Sequence, residues 1–326
     1  MPQYQIQAIM RKTIITLEYL AMITAVLWLQ SCAAPAKPQT VRLDRQGQWQ
    51  PSDAARQEQY LLRVAEMKKS VDAGKPGKVR SAIKQLKKDY PEIAGEDFNS
   101  FAEGELLLAK GKITGAIRQY NTFLDDYPVS PLRDAALQRQ FDIGSEFLAG
   151  RKKTILIFRV RAYDDGVKIM EKISDRTGSA EIAKNALLAV VHSYEKRKKY
   201  EEAYLTWSQI NSRWPTGQTG KDALLGMARN KYATFRGPLY DGSGLVSAKS
   251  YYENYKLRYP EDAQRLGINE ILTKINEQLA EKNLLIANYY KKTGQPTPAN
   301  MYYQMVVDNW PDTAAANTAK QKLAGN

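Results

Sequence analysis

Residues 113–128 read ITGAIRQYNTFLDDYP, and this stretch contains the pattern that decides the fold. Ala116, Tyr120, Phe123 and Tyr127 are separated by four, three and four positions, which places their side chains on one face of a helix. Pro128 has no backbone N–H with which to continue that helix, and it disfavours the helical conformation of the residue before it. The stretch therefore predicts an amphipathic helix that ends at Tyr127.

The same pattern recurs along the chain, each time with an aromatic residue directly before a proline. One such helix cannot bury its apolar face alone, whereas stacked copies can. A sixth, degraded copy runs over residues 166–178 and has glycine in the place of the proline. The repetition predicts an all-α solenoid of about six helix pairs over residues 52–326, closed by a capping helix over 312–323. The five complete copies end at Tyr90-Pro91, Tyr127-Pro128, Trp214-Pro215, Tyr259-Pro260 and Trp310-Pro311.

The repeated unit resembles a tetratricopeptide repeat. In one copy Gly104, Gly111, Ala116 and Tyr120 fall in register on the 34-residue template of that family. Two later copies match in the same register. The proline-to-proline steps are 37, 87, 45 and 51 residues, so the repeats are longer than the template. The resemblance implies a binding protein built from stretched helical repeats.

The N-terminus has the arrangement typical of a bacterial lipoprotein signal. Arg11 and Lys12 precede a short apolar run, which ends just before Cys32, the sole cysteine of the chain. The run is shorter than the ~20 apolar residues of a transmembrane helix. We therefore predict a signal peptide over residues 1–31 and acylation of Cys32. The alternative is an uncleaved anchor with a buried thiol. Translation could begin at Met1 or at Met10.

The residues after the predicted signal indicate a location. Ala33 and Ala34 follow the cysteine, and by resemblance to proteobacterial sorting rules they favour the outer membrane, with the chain facing the periplasm. Polar residues and two prolines then predict a flexible tether over residues 32–51. With one cysteine no intramolecular disulfide can form, so packing has to hold the fold.

The chain carries a formal net charge of +13, and its cations cluster where the first helix of each predicted pair ends. Cations at helix C-termini are stabilising by ~0.3–1 kcal/mol each, which is the simpler explanation. In a stacked solenoid the same turns would form a ridge that faces anionic lipid headgroups or an acidic partner. Nucleic acid is not expected as a partner of an exported lipoprotein. The candidates for this basic edge are Lys152, Lys153, Arg197, Lys198 and Lys199.

Residue constellations that carry out catalysis are missing from the sequence. His192 is the only histidine and has no second histidine or cysteine with which to share a metal ion. Residues 237–244, GPLYDGSG, lack the GK[ST] ending of a phosphate-binding loop and indicate a long connection between helices. We expect a protein that is not an enzyme, without a catalytic site, a metal site or a cofactor.

Two segments interrupt the repeats. Residues 154–163, TILIFRVRAY, are rich in β-branched residues and alternate in polarity, which predicts a strand inside a helical protein. That strand is either an extended strut or an exposed edge that pairs with a partner strand. Residues 263–292 contain no proline and keep one apolar face, which predicts a single helix of about 25 residues.

A lipoprotein with about six stretched tetratricopeptide-like units resembles the BamD (YfiO) family. The residues that carry this resemblance best are LAEKNLLIANYY at 279–290, followed by Tyr303, Trp310 and Pro311. The resemblance extends from residue 52 to the C-terminus and implies a binding role in the assembly of outer-membrane β-barrel proteins. It implies three kinds of partner: a β-barrel assembly protein with periplasmic repeat domains, accessory lipoproteins and unfolded outer-membrane proteins.

A groove lined by first-helix residues is the expected place for a bound segment. The physical candidates are Phe98, Phe101, Glu105, Arg133 and Arg139. Two other readings remain open. One is a different repeat lipoprotein, such as a pilus pilotin or a peptidoglycan–Tol coordinator. The other is a structural spacer between membrane and wall.

Overall fold

The computed structural model describes residues 41–43, 49–51, 53–155 and 158–325. The predicted signal peptide and Cys32 lie outside these residues. The chain divides into two compact units, Met1–Arg133 and Asp134–Asn326. Both are built mainly of helices, and the predicted all-α, tetratricopeptide-like solenoid is confirmed. The described residues form six helix pairs, two in the first unit and four in the second, and a final helix closes the second unit.

The first unit contains a short hairpin and two helix pairs. Its strands β1 (Val41–Leu43) and β2 (Trp49–Pro51) pair in antiparallel fashion. Both strands lie within residues 32–51, for which a flexible tether was predicted. The helices are α1 (Asp53–Asp72), α2 (Pro76–Asp89), α3 (Glu96–Ala109) and α4 (Ile113–Asp126).

The second unit contains four helix pairs, a hairpin, one short helix and the capping helix. The extended conformation predicted for residues 154–163 is confirmed. The segment contributes to a two-stranded antiparallel hairpin, however, and is not a single strand that serves as a strut. The predicted 25-residue helix and the capping helix are both present. The elements are α5 (Arg133–Leu148), β3 (Lys152–Ile155), β4 (Phe158–Arg161), α6 (Tyr163–Thr177), α7 (Glu181–Lys196), α8 (Tyr200–Arg213), α9 (Gly217–Ala233), α10 (Ser243–Arg258), α11 (Pro260–Arg265), α12 (Ile268–Lys292), α13 (Pro296–Asn309) and α14 (Ala314–Ala324).

The aromatic-proline pairs end the second helix of each complete repeat, as predicted. At all five pairs the aromatic residue is the C-cap, with φ between −138° and −127° and ψ between 54° and 70°. Its N–H still donates to the carbonyl four residues earlier, as from Tyr127 to Phe123 at 2.9 Å. The following proline therefore stops the helix after the last favourable backbone bond.

The repeated apolar positions form the core. Ala116, Tyr120 and Phe123 are fully buried, and the equivalent positions of the later complete copies are also buried. Close packing requires glycine at several places, two of which lie against aromatic rings of the core. A Cβ at Gly104 would lie 2.6 Å from the ring of Tyr120, and a Cβ at Gly226 would lie 2.5 Å from the indole ring of Trp207. The small residues thus let neighbouring helices approach until the aromatic side chains fill the space between them.

Candidate functional site

The predicted groove candidates on α3 belong to the core. Phe98, Phe101 and Glu105 are fully buried. Phe101 packs against the rings of Tyr120 and Phe123, and the Tyr120 hydroxyl donates a 2.6 Å hydrogen bond to Glu105 Oε1. The prediction that these three residues line an accessible groove is therefore wrong. Their helix does carry the apolar pattern of a first helix, but a second helix covers that face.

The two arginine candidates on α5 are placed differently. Arg139 is buried, with 4% of its surface exposed, while Arg133, at the first position of the helix, is partly exposed. A buried guanidinium is costly unless it is paired. Arg139 therefore also fits an internal structural role better than the groove for which it was predicted.

The predicted basic edge is largely engaged in internal contacts at the α7–α8 turn. The Arg197 guanidinium lies between two aromatic rings, 4.5 Å from the ring centroid of Tyr163 and 5.1 Å from that of Tyr194. Lys199 pairs with Glu202 at 3.3 Å. The candidates Lys152 and Lys153 lie on β3, where the structure defines their backbone pairing.

Lys198 has an unusual backbone conformation. Its φ of 58° lies in the left-handed region. Among the residues that the structure describes, every other residue with a positive φ is a glycine. The equivalent three-residue turns of other pairs have Gly74, Gly111 and Gly294 at this position, with φ between 61° and 72°. A side chain there costs roughly 1–2 kcal/mol. Lys198 is exposed, so the turn presents a cation at a strained position.

A polar centre ties three helices of the second unit together around Glu195 on α7. The carboxylate accepts hydrogen bonds from Trp207 Nε1 of α8 at 2.9 Å and from Asn230 Nδ2 of α9 at 2.8 Å. Burial by itself raises the pKa of Glu195, but the hydrogen bonds from His192, Trp207 and Asn230 outweigh it and lower the pKa to about 2. The carboxylate is therefore charged at every ordinary pH and acts as a structural link.

The sole histidine belongs to the same centre. His192 Nδ1 lies 3.4 Å from Glu195 Oε2, and this hydrogen bond raises the pKa of His192 against the opposite effect of partial burial. From the sequence His192 was considered only as a metal ligand, and this contact was missed. Its signal in the sequence was the i, i+3 spacing of His192 and Glu195 on one helix face.

A cavity of about 320 Å³ lies where α8, α9 and the beginning of α10 meet. On one wall Lys231 Nζ donates to Glu201 Oε1 at 2.7 Å and sits 4.0 Å from the ring centroid of Tyr204. The opposite wall is the α9–α10 loop. Sequence reasoning identified this stretch as a long connection and missed the cavity beside it. Its lining residues are Glu201, Lys231, Thr234, Arg236, Tyr240, Asp241, Ser243 and Gly244.

The described ranges also bear on metal binding and on membrane spans. Nowhere in them do three or more His, Cys, Asp or Glu side chains gather in a way that could hold a metal ion. Each helix that the structure describes is too short or too polar to cross a membrane.

The helix pairs, the aromatic stop signals and the capping helix define a tetratricopeptide-like repeat protein. Residues 158–324, half of the chain, match the model of the family described as YfiO, outer membrane lipoprotein. The chain therefore belongs to this family of outer-membrane lipoproteins, which is the BamD type.

Comparison with solved structures gives a further likeness. The C-terminal part of a TPR repeat-containing protein from Cytophaga hutchinsonii is 19% identical, with a TM-score of 0.34. The match covers 82% of this chain and 93% of that one. No curated protein matches the chain.

Proposed function

We propose that this protein is a periplasm-facing, lipid-anchored scaffold that binds proteins during the assembly and insertion of outer-membrane β-barrel proteins. The observation that carries the proposal is the family match, which spans the helix pairs from α6 to α14. A repeat array of this kind offers long surfaces for extended partners and is not built around a reaction centre. A binding role, without catalysis, follows as part of the proposal.

The proposed partners are those that the family resemblance implies. They are a β-barrel assembly protein with periplasmic repeat domains, accessory lipoproteins and unfolded outer-membrane proteins. The proposed anchor is the acylated Cys32, since several acyl chains on one residue give the stable attachment that a single chain does not. A polar solenoid behind such an anchor would remain next to the membrane in which its partners are assembled.

Affinity purification of the tagged chain from detergent-solubilised envelopes tests the binding role. We expect a β-barrel protein with periplasmic repeat domains to co-purify in stoichiometric amount. An unrelated tagged outer-membrane lipoprotein serves as the control for adhesion to the resin. Recovery of only wall enzymes or pilus components would overturn the proposal in favour of another repeat lipoprotein. Recovery of no specific partner would favour a structural spacer.

Metabolic labelling with an alkyne fatty acid tests the anchor separately. The wild-type chain should acquire the label and float with outer-membrane fractions, whereas Cys32→Ala should do neither. Labelling of Cys32→Ala at the wild-type level would contradict acylation at this residue.

A further inference from the structure

The α9–α10 connection differs from the other turns inside helix pairs. Four of those turns contain three residues, for example 110–112 between α3 and α4, whereas α9 ends at Ala233 and α10 begins at Ser243. The additional residues account for part of the length by which this repeat exceeds the family template. A longer loop at one repeat is a common way to add a binding element to a repeat array.

Hydrogen bonds anchor the backbone of this loop. Lys282 Nζ, from α12, donates hydrogen bonds to the carbonyl oxygens of Pro238, at 3.3 Å, and of Tyr240. The Asp241 carboxylate accepts from the backbone N–H of Ser243 at 3.1 Å and from the Ser243 hydroxyl. Its backbone is thus anchored at the middle and at the end.

The anchored loop points large apolar side chains outward. Leu239 is 85% exposed and Tyr240 is 57% exposed. Anchoring the backbone that carries these side chains removes part of the ordering cost of a contact, and tyrosine is enriched among the residues that dominate binding energies. Leu239 and Tyr240 therefore form a preorganised apolar contact surface.

Beside this surface the acidic side chains have partners within the chain, whereas one arginine has no ion-pair partner among the described residues. In the adjoining cavity Glu201 is neutralised by Lys231, and Asp241 is bonded by Ser243. Arg236, which also lines the cavity, is exposed and forms no ion pair within the described residues. A guanidinium in this position is suited to bidentate binding of a carboxylate.

We propose that the α9–α10 loop and its cavity form a docking site for an extended segment of a partner protein that carries a large apolar side chain next to a carboxylate. The apolar side chain packs on Leu239 and Tyr240, and the carboxylate binds Arg236. The site rests on the proposed scaffold function and gives it a location in the repeat array.

A protein segment fits this site better than a membrane surface does. Insertion of Leu239 and Tyr240 into an anionic bilayer would bring the carboxylates of Glu201 and Asp241 toward negative headgroups. A peptide instead places one carboxylate at Arg236 and leaves the two acidic groups to their internal partners.

Synthetic peptides test the proposed chemistry. Four dye-labelled, C-terminally amidated nine-residue peptides share a Gly-Ser background and carry Phe-Asp, Phe-Asn, Phe-Lys or Ala-Asp at the centre. Binding to the full chain in phosphatidylcholine nanodiscs is measured by fluorescence polarisation. We expect Phe-Asp to bind about tenfold more tightly than each of the other three, the change that loss of one charge-assisted or apolar contact produces.

Variants locate the binding on the loop. Leu239→Ser and Arg236→Gln should each weaken Phe-Asp binding about tenfold. The matched controls are Leu257→Ser, at a leucine 84% exposed on α10, and Arg80→Gln, at an exposed arginine on α2. Both controls should bind as the wild type does, and all four variants should keep the wild-type circular dichroism spectrum and melting temperature.

Three results would overturn the proposal. The first is equal binding of all four peptides, and the second is Phe-Asp binding that both loop variants leave unchanged. The third is a Leu239→Ser change that lowers binding of the unlipidated Cys32→Ser chain to phosphatidylglycerol vesicles, because lipid would then cover the loop. Each of these results leaves co-purification of the barrel partner by the wild-type chain as a separate test of the scaffold function.

Discussion

The charge on Glu195 is predicted to stabilise the junction of α7, α8 and α9, and Glu195→Gln measures its contribution. The carboxylate pKa is lowered from 4.5 to about 2 because the donated hydrogen bonds outweigh the effect of burial. Full conversion at 1.36 kcal/mol per pKa unit would give ~3 kcal/mol. The side chain is 34% exposed, so screening by solvent reduces this to about 1–2 kcal/mol.

The sign of the pH dependence follows from the lowered pKa of Glu195. A carboxylate whose pKa is lower in the folded state stabilises the fold above its unfolded pKa of 4.5, and the stabilisation is lost as the pH falls toward 2. Guanidinium titrations followed by circular dichroism should therefore show Glu195→Gln destabilised by about 1–2 kcal/mol at pH 7. The difference from the wild type should shrink between pH 4.5 and the lowest accessible pH.

The control is Glu253→Gln, which alters an exposed i, i+4 pair with Lys249 and should change stability by less than ~0.5 kcal/mol. As a second readout, the pKa of His192 measured by NMR should fall in Glu195→Gln, because the hydrogen bond that raises it is weakened. A Glu195→Gln variant as stable as the wild type at pH 7, with an unchanged pKa of His192, would refute the reasoning.

Three further substitutions test the packing and the backbone. Lys198→Gly should raise the free energy of unfolding by about 1 kcal/mol, because glycine removes the left-handed strain. The control Lys196→Gly, at the last helical residue of α7, should lower it by up to ~0.5–1 kcal/mol; chemical denaturation compares the two, and equal losses would contradict the strain. Gly226→Ala should cost ~1–3 kcal/mol by the same assay, because its Cβ would meet the Trp207 ring, and a neutral effect would show that the ring can move. Lys282→Met should accelerate amide hydrogen exchange in residues 237–242 and leave α9 unchanged, since two carbonyls lose their donor; unaltered exchange in the loop would show that it does not need this anchor.

Helix ends and core positions could be read from neighbouring residues in the sequence. The stop at Tyr127 follows from Pro128 alone, and burial of Ala116, Tyr120 and Phe123 follows from their shared helix face. The 25-residue α12 was likewise predictable, because it has a continuous apolar face without a proline. Each of these features depends on residues within about four positions, where spacing and geometry are directly linked.

The candidate sites were less predictable because they depend on contacts between helices. Glu105 has the polarity of a groove residue, yet Tyr120 from the next helix covers it and bonds its carboxylate. Arg197 has the charge of an exposed edge, yet the ring of Tyr163, 34 residues earlier in the chain, holds one face of its guanidinium. The α9–α10 loop has no pattern that predicts its anchor, since Lys282 reaches it from α12.

The sequence by itself determined that this protein is a stack of helical repeats, where most of those helices end and which of their faces are buried. Tertiary structure alone decided the roles of its charged residues. Glu195 became a link between three helices, Lys198 a strained exposed cation and Arg236 the exposed cation of a cavity. The physical reason is that apolar burial depends on the periodicity of a single helix, whereas the free energy of a charged side chain depends on the donors, acceptors and rings that distant segments place around it.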